Sequence, residues 1–160
     1  MRDLKYYNSE GYGVADSWKY ALPWLTHAVN VLSGQRKQDM GPRLRICFTH
    51  REELLHLIVL LGLGYDHQKL DEGGIQYDRA WRSSHFAPYL GHIGFERLTS
   101  PTGQRRVRLR LNGHPVVAFN RELDLGDNDA YELEEVQEWV KRRLLGLPSH
   151  YKEAVSFMNE

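Results

Sequence analysis

The spacing of apolar positions changes several times along the chain, and each change marks a predicted element. Trp18, Leu22, Leu25, Val29 and Leu32 recur at helical intervals, which predicts a helix over about 15–32 that Asp16 or Ser17 would cap. Pro23 falls inside that stretch and should kink it or move its start. Between Arg43 and Thr49 the period drops to two, with Leu44, Ile46 and Phe48 on one side, and a strand over 43–49 is expected. Glu53 to Leu63 is too rich in leucine for a strand and predicts a largely buried helix over 52–62. Further strands are expected near 86–98, where Pro88 and two glycines sit, and near 105–112, where Val107, Leu109 and Leu111 alternate with arginines. Asn112-Gly113 signals a hairpin turn, with a returning strand at 115–119. Leu133, Val136, Val140 and Leu144 define a last helix over 131–145, acidic at its start and basic at its end, stopped by Gly146 and Pro148. This order predicts an α/β fold, a mixed sheet with flanking helices.

Between these elements lie a polar first segment ending in the turn Gly11-Tyr12-Gly13, a polar loop from Ser33 to Pro42, and a long irregular stretch from Gly64 to Ser84. A loop of that last length inside a compact domain suggests a functional role. An acidic, turn-rich link runs from Leu123 to Ala130, and residues 146–160 read as a polar tail. The whole chain, 160 residues, is expected to form a single domain.

Composition narrows the function classes. Lys+Arg and Asp+Glu are both 21, so no net charge recruits nucleic acid or an acidic membrane. Cys47 is the only cysteine; that excludes an internal disulfide and fits a reducing compartment such as the cytoplasm. The polar first ten residues carry no signal-peptide core, and the apolar run around Leu57 to Leu63 is too short to span a bilayer.

The candidate chemistry sits where the expected strand at 43–49 meets the expected helix. His50 and Glu52 stand between a strand's carboxyl end and a helix's amino end, where unpaired N–H groups and a positive dipole favour an anion. A His that donates to an oxyanion beside a carboxyl group that donates a proton suits phosphate-ester cleavage. A second reading of the same residues is open: Thr49-x-x-Glu52 has the spacing of a capping box. His50 and His56 are six apart and face different sides of a helix, which argues against a zinc-protease pair. Arg105, Arg106, Arg108 and Arg110 are expected to form the solvated face of a strand, since no aromatic residue interleaves with them to stack bases. Arg82, Ser83, Ser84 and His85 are expected to belong to a loop, and the four tryptophans to packing.

These residues, taken in order, resemble the C-terminal part of the histidine acid phosphatases, in the branch that includes multiple inositol polyphosphate phosphatases and phytases. Asp3-Leu4-Lys5-Tyr6-Tyr7 with Gly11-Tyr12-Gly13 is similar to the family's entry to a late core helix. Phe48-Thr49-His50-Arg51-Glu52 resembles its second catalytic motif, with the acid two residues after the His as in the inositol polyphosphate enzymes. Trp81-Arg82-Ser83-Ser84, Pro88-Tyr89 with Glu96-Arg97-Leu98, and Val107 to Gly113 with Pro115-Val116 resemble the segments that follow. The likeness spans about residues 3–120.

The resemblance implies a phosphomonoesterase working through a phosphohistidine, with His50 and Glu52 catalytic and His50 and Arg51 on the phosphate. It implies no metal and no organic cofactor. The expected partner is a small phosphomonoester, with neither nucleic acid nor membrane. The family's Arg-His-Gly-x-Arg-x-Pro nucleophile motif is absent from these 160 residues. The nucleophile is therefore expected from a missing N-terminal half or a partner chain, leaving a sheet edge open or paired with another segment, and this chain inactive alone. The alternative is a non-catalytic remnant that binds phosphate esters or a protein.

Overall fold

The computed structural model describes residues 2–34, 44–70, 72–73 and 76–148. The elements run α1 (Arg2–Ser9), α2 (Ser17–Ser33), α3 (Arg51–Leu60), α4 (Ser83–Phe86), β1 (Ile93–Thr99), β2 (Arg105–Leu111), β3 (His114–Pro115), β4 (Tyr131–Glu132) and α5 (Leu133–Leu145). The α/β organisation is the one the periodicity predicts. The described sheet is open and its pairings are antiparallel: β2 pairs with β1, with β3 and, through Arg106 and Val107, with β4.

The core lies where α2, α3 and α5 meet β2. Leu22, Leu25 and Val29 of α2 face Leu55 and Ile58 of α3, all buried, with Val107 and Leu109 of β2 and Leu133, Val136 and Trp139 of α5 closing the cluster. Each such side chain contributes roughly 1.5–3 kcal/mol by leaving water. α2 continues unbroken past Pro23, which is itself buried; the helix forgoes one backbone hydrogen bond there. Neither expected cap operates. The carboxylate of Asp16 pairs with Lys19 at 2.7 Å, and the Ser17 hydroxyl turns inward to the Glu10 carbonyl and His56.

Three expected strands are corrected. Residues 44–50 form no strand and pair with none of the described strands; Arg43 and most of the loop from Ser33 to Pro42 lie outside the described residues. An alternating sequence becomes a strand only when a neighbour accepts its backbone hydrogen bonds. The strand expected at 86–98 begins instead at Ile93. Ahead of it come α4 and a turn in which Leu90 has φ 61°, next to Pro88, which has no N–H to donate. The strand expected at 115–119 shortens to His114–Pro115. The Asn112-Gly113 turn does form, with both φ positive (50° and 87°) as a type I′ hairpin requires. Past Val116 the chain leaves the sheet, and Phe119, Asn120 and Arg121 take three successive left-handed conformations (φ 60°, 51° and 58°).

Each left-handed residue costs roughly 1–2 kcal/mol. That turn delivers the fully buried Phe119 edge-on to Tyr131 (5.0 Å) and Trp139 (5.1 Å), and this burial works against the strain.

The polar first segment contains α1, which periodicity did not flag because Tyr7 is its single buried residue. Its anchor is electrostatic. Asp3 accepts hydrogen bonds from the backbone N–H (3.0 Å) and hydroxyl (2.6 Å) of Ser83, and its other oxygen takes the Arg79 guanidinium. Asp66 accepts from the N–H groups of Ala80 (2.6 Å) and Trp81 (2.8 Å). Trp81, fully buried, donates its indole N–H to the Asp3 carbonyl and meets Tyr7 and Tyr12 edge-on. The long segment from Gly64 to Ser84 is thus tied down by two carboxylates, although Asp71, Gly74 and Ile75 lie outside the described residues. At the C-terminal end Leu147 is buried in the core, and the tail from 149 on lies outside the described residues.

Burial works to raise the Asp3 pKa, but the Ser83 and Arg79 hydrogen bonds outweigh it and hold the group below its ordinary value of 3.8. A depressed carboxylate stabilises the fold above its unfolded pKa, and that contribution is lost as pH falls through the folded value. Asp3→Ala is expected to cost about 2–3 kcal/mol in urea unfolding, because it strands the Ser83 donors and Arg79. Asp3→Asn is expected to flatten the loss of stability below about pH 4 relative to the wild type.

Candidate functional site

α3 begins at the end of the segment 44–50. Its N-cap residue is His50, in extended conformation (φ −81°, ψ 162°), and no side chain caps the helix. The cap position moves Glu52 to the second helical residue, so the Thr49-x-x-Glu52 capping box is not formed. The first N–H groups of α3 consequently have no side-chain partner from the cap, and they add to the positive end of the helix dipole.

His50 and Glu52 are both exposed at this helix end, open to solvent and not walled into the core. Arg51 is half-buried. Its guanidinium lies over the ring of Tyr6 in α1, 5.6 Å from the centroid, which fixes the side chain beside the same helix end. Arg45 donates to Nε2 of His27 at 3.2 Å, which ties the preceding segment to α2. The start of α3 thus carries an exposed imidazole and an exposed carboxyl group, a half-buried guanidinium between them in sequence, and N–H groups with no cap side chain. Such a helix end can hold an anion and exchange a proton with it. Glu53, next in line, has one carboxylate oxygen buried without a hydrogen-bond partner.

Sequence reasoning did not find Tyr6 as the support of Arg51. The two residues are 45 apart in the chain, and nothing in either segment announces the contact.

The remaining candidates have structural partners. Nδ1 of His56 is 2.9 Å from the Ser17 hydroxyl, and its ring lies 5.1 Å from that of Tyr20. Among the described residues no group of three or more His, Cys, Asp or Glu could hold a metal ion, and no helix is long and apolar enough to cross a membrane. The arginines of β2 are ion-paired more than the expected solvated face implies. Arg106 meets Glu132 at 2.7 Å, Arg108 and Arg110 share Glu96 at 2.7 and 2.9 Å, and Arg105 reaches Glu134 at 3.2 Å. Ser83 is buried on Asp3, and Arg82 donates to the Tyr77 carbonyl at 2.7 Å, so this stretch braces the loop. Trp81 and Trp139 are core residues, as expected.

A cleft of about 250 Å³ opens at the other end of α3, lined among others by Tyr12, Trp18, Tyr65, Leu60, Asn120 and Arg143. It does not include His50. The Arg143 guanidinium stacks on Trp139 (4.7 Å) and binds the Glu122 carboxylate, which also accepts from the Trp139 indole. Burial pushes the Tyr12 hydroxyl up, and it donates to the Leu63 carbonyl at 2.9 Å. The cleft therefore offers aromatic walls and a neutralised cation, with no group poised for proton transfer.

Burial lowers the His56 pKa below its ordinary 6.5, against the opposing pull of Glu10 and Glu53. A His kept neutral by the fold stabilises it above its unfolded pKa, and the contribution is lost as pH falls from 6.5 towards the folded value. His56→Gln is expected to weaken the pH dependence of the unfolding midpoint in that window. An unchanged slope would show that His56 titrates alike in both states.

Two comparisons bear on this corner. The sequence profile of the histidine phosphatase superfamily (branch 2) matches residues 1–112, a span that includes α1, α2, α3, β1 and β2. A search of curated proteins finds no match.

Proposed function

This chain belongs to branch 2 of the histidine phosphatase superfamily, and from that premise we propose that it is the C-terminal portion of an acid phosphomonoesterase. His50 donates hydrogen bonds to the transferring phosphoryl oxygens, and Glu52 protonates the leaving alcohol. Arg51, steadied by Tyr6, adds positive charge beside the phosphate. The attacking imidazole, which becomes the phosphohistidine, comes from outside these residues, since no Arg-His-Gly string occurs in them.

The observation that carries this reading is the start of α3. His50 and Glu52 stand exposed at an uncapped helix N-terminus, within the matched span. An uncapped end leaves its N–H groups available to an anion, whereas a capping box would have consumed them. The exposed segment 44–50 fits the same reading: it has the alternation of a strand whose neighbour is missing. The substrate class we favour is inositol polyphosphates, on the His-x-Glu spacing alone.

The chain by itself is expected not to hydrolyse p-nitrophenyl phosphate. Supplied with a polypeptide carrying the family's Arg-His-Gly motif, it is expected to gain turnover. In that reconstituted enzyme Glu52→Gln should lower kcat by about 10²–10⁴-fold, and His50→Ala by about 10²–10³-fold. Turnover by the lone chain that disappears on Glu52→Gln would mean a nucleophile within these residues. Binding of inositol hexakisphosphate at low salt, with no turnover in any combination, would favour the non-catalytic remnant.

A further inference from the structure

The cleft of about 250 Å³ at the C-terminal end of α3 takes no part in the phosphatase reading. Two of its wall residues, Asn120 and Arg143, lie beyond the matched span 1–112. Asn120 is the middle one of three successive left-handed residues, at φ 51°, and such strain gathers where a side chain is presented to a ligand. Burial of Phe119 accounts for the turn, but not for the amide exposed at its centre. That amide lies on Gly62, itself at φ 74°, and a Cβ there would collide with the Asn120 Oδ1. Among the described residues no hydrogen bond engages the Asn120 amide, the Tyr65 hydroxyl or the Trp18 indole N–H, all three from the cleft wall. Aromatic walls with a few unengaged polar groups are the make-up of a small-molecule site.

Charge narrows what enters. Leu60, the last residue of α3, lines the cleft, which therefore sits at the negative end of the helix dipole. Glu122 neutralises Arg143, so an anion gains little there. The Arg143 guanidinium already lies over the Trp18 ring at 5.6 Å, so a second cation would compete for that face. A neutral flat ring meets neither obstacle and stacks on aromatic side chains. An Asn amide sets a donor beside an acceptor, and it pairs in two bonds with a ring edge that carries the reverse pair, as adenine does. We propose that this cleft binds a neutral nucleobase-type heterocycle, stacked on Tyr65 and read at its edge by the Asn120 amide. Ligand sites run upward from roughly 300 Å³, so a cleft of this size suits a single ring system.

The site needs neither His50 nor Glu52 and lies at the other end of α3, so its failure and that of the phosphatase reading show at different residues. Adenosine titrated into the full chain should give saturable NMR shifts of the Asn120 side-chain amide and the Trp18 indole, with the start of α3 unmoved. Adenosine 5′-monophosphate should bind at these signals no more tightly than adenosine; any contact of its phosphate with His50 would be seen separately. Indole, which has a ring and no acceptor edge, should bind about tenfold or more weakly than adenosine. Asn120→Asp keeps the size and the tolerance of left-handed backbone but removes the donor, and should weaken adenosine binding by about tenfold. Tyr65→Leu, at a position 56% exposed, should weaken it by about fivefold or more through lost stacking. Far-UV circular dichroism should stay as in the wild type for both, and Tyr65→Leu carries the test if Asn120→Asp does not fold. No saturable shift with adenosine, shifts away from the cleft, affinity indifferent to both variants, indole binding as well as adenosine, or tighter binding of the nucleotide read at Asn120 would each overturn the proposal.

Discussion

A polypeptide segment with large apolar side chains on alternate positions is stable as a strand only when a neighbour takes its backbone groups and a packed layer takes its face. Residues 44–50 have neither among the described elements, and every residue in that run is exposed. His50 inherits its position from this circumstance. It is held by the start of α3 on one side and by nothing regular on the other, which leaves the corner it shares with Arg51 and Glu52 open.

The body of the protein is built so that it does not depend on that segment. α2 and α3 pack Leu22, Leu25 and Val29 against Leu55 and Ile58, and β2 and α5 close the same core. Polar ties then fix what the core does not reach. Asp3 and Asp66 fasten the long segment between α3 and α4, and the β2 arginines are drawn into pairs with Glu96, Glu132 and Glu134. The same ties decide which candidates are available for chemistry. Arg82, Ser83 and the β2 arginines are spent on structure, whereas His50 and Glu52 stand at an uncapped helix end.

The legible parts were those where local pattern and tertiary role agree. The stripes from Leu22 to Val29 and from Leu133 to Val140 became buried helix faces, and Asn112-Gly113 became a hairpin turn because both residues tolerate positive φ. The failures have separate causes. α1 escaped notice because it is held by Asp3 and one buried tyrosine, so it has almost no apolar stripe. The returning strand after His114 was cut short because Phe119 gains more by turning into the core than by continuing the ladder. At the candidate site, residue identities and order were readable, but the support of Arg51 by Tyr6 was not.

The sequence by itself determined the family, the core faces of α2 and α5 and the hairpin, because each is a matter of spacing within a few residues or of motif order. Only the tertiary structure decided that residues 44–50 stay outside the sheet, that the cap of α3 falls on His50, and that the arginines of β2 are neutralised. Those outcomes rest on which distant groups are present to pair with. A strand, a cap and an ion pair each need a partner, and no local pattern specifies whether the partner is there.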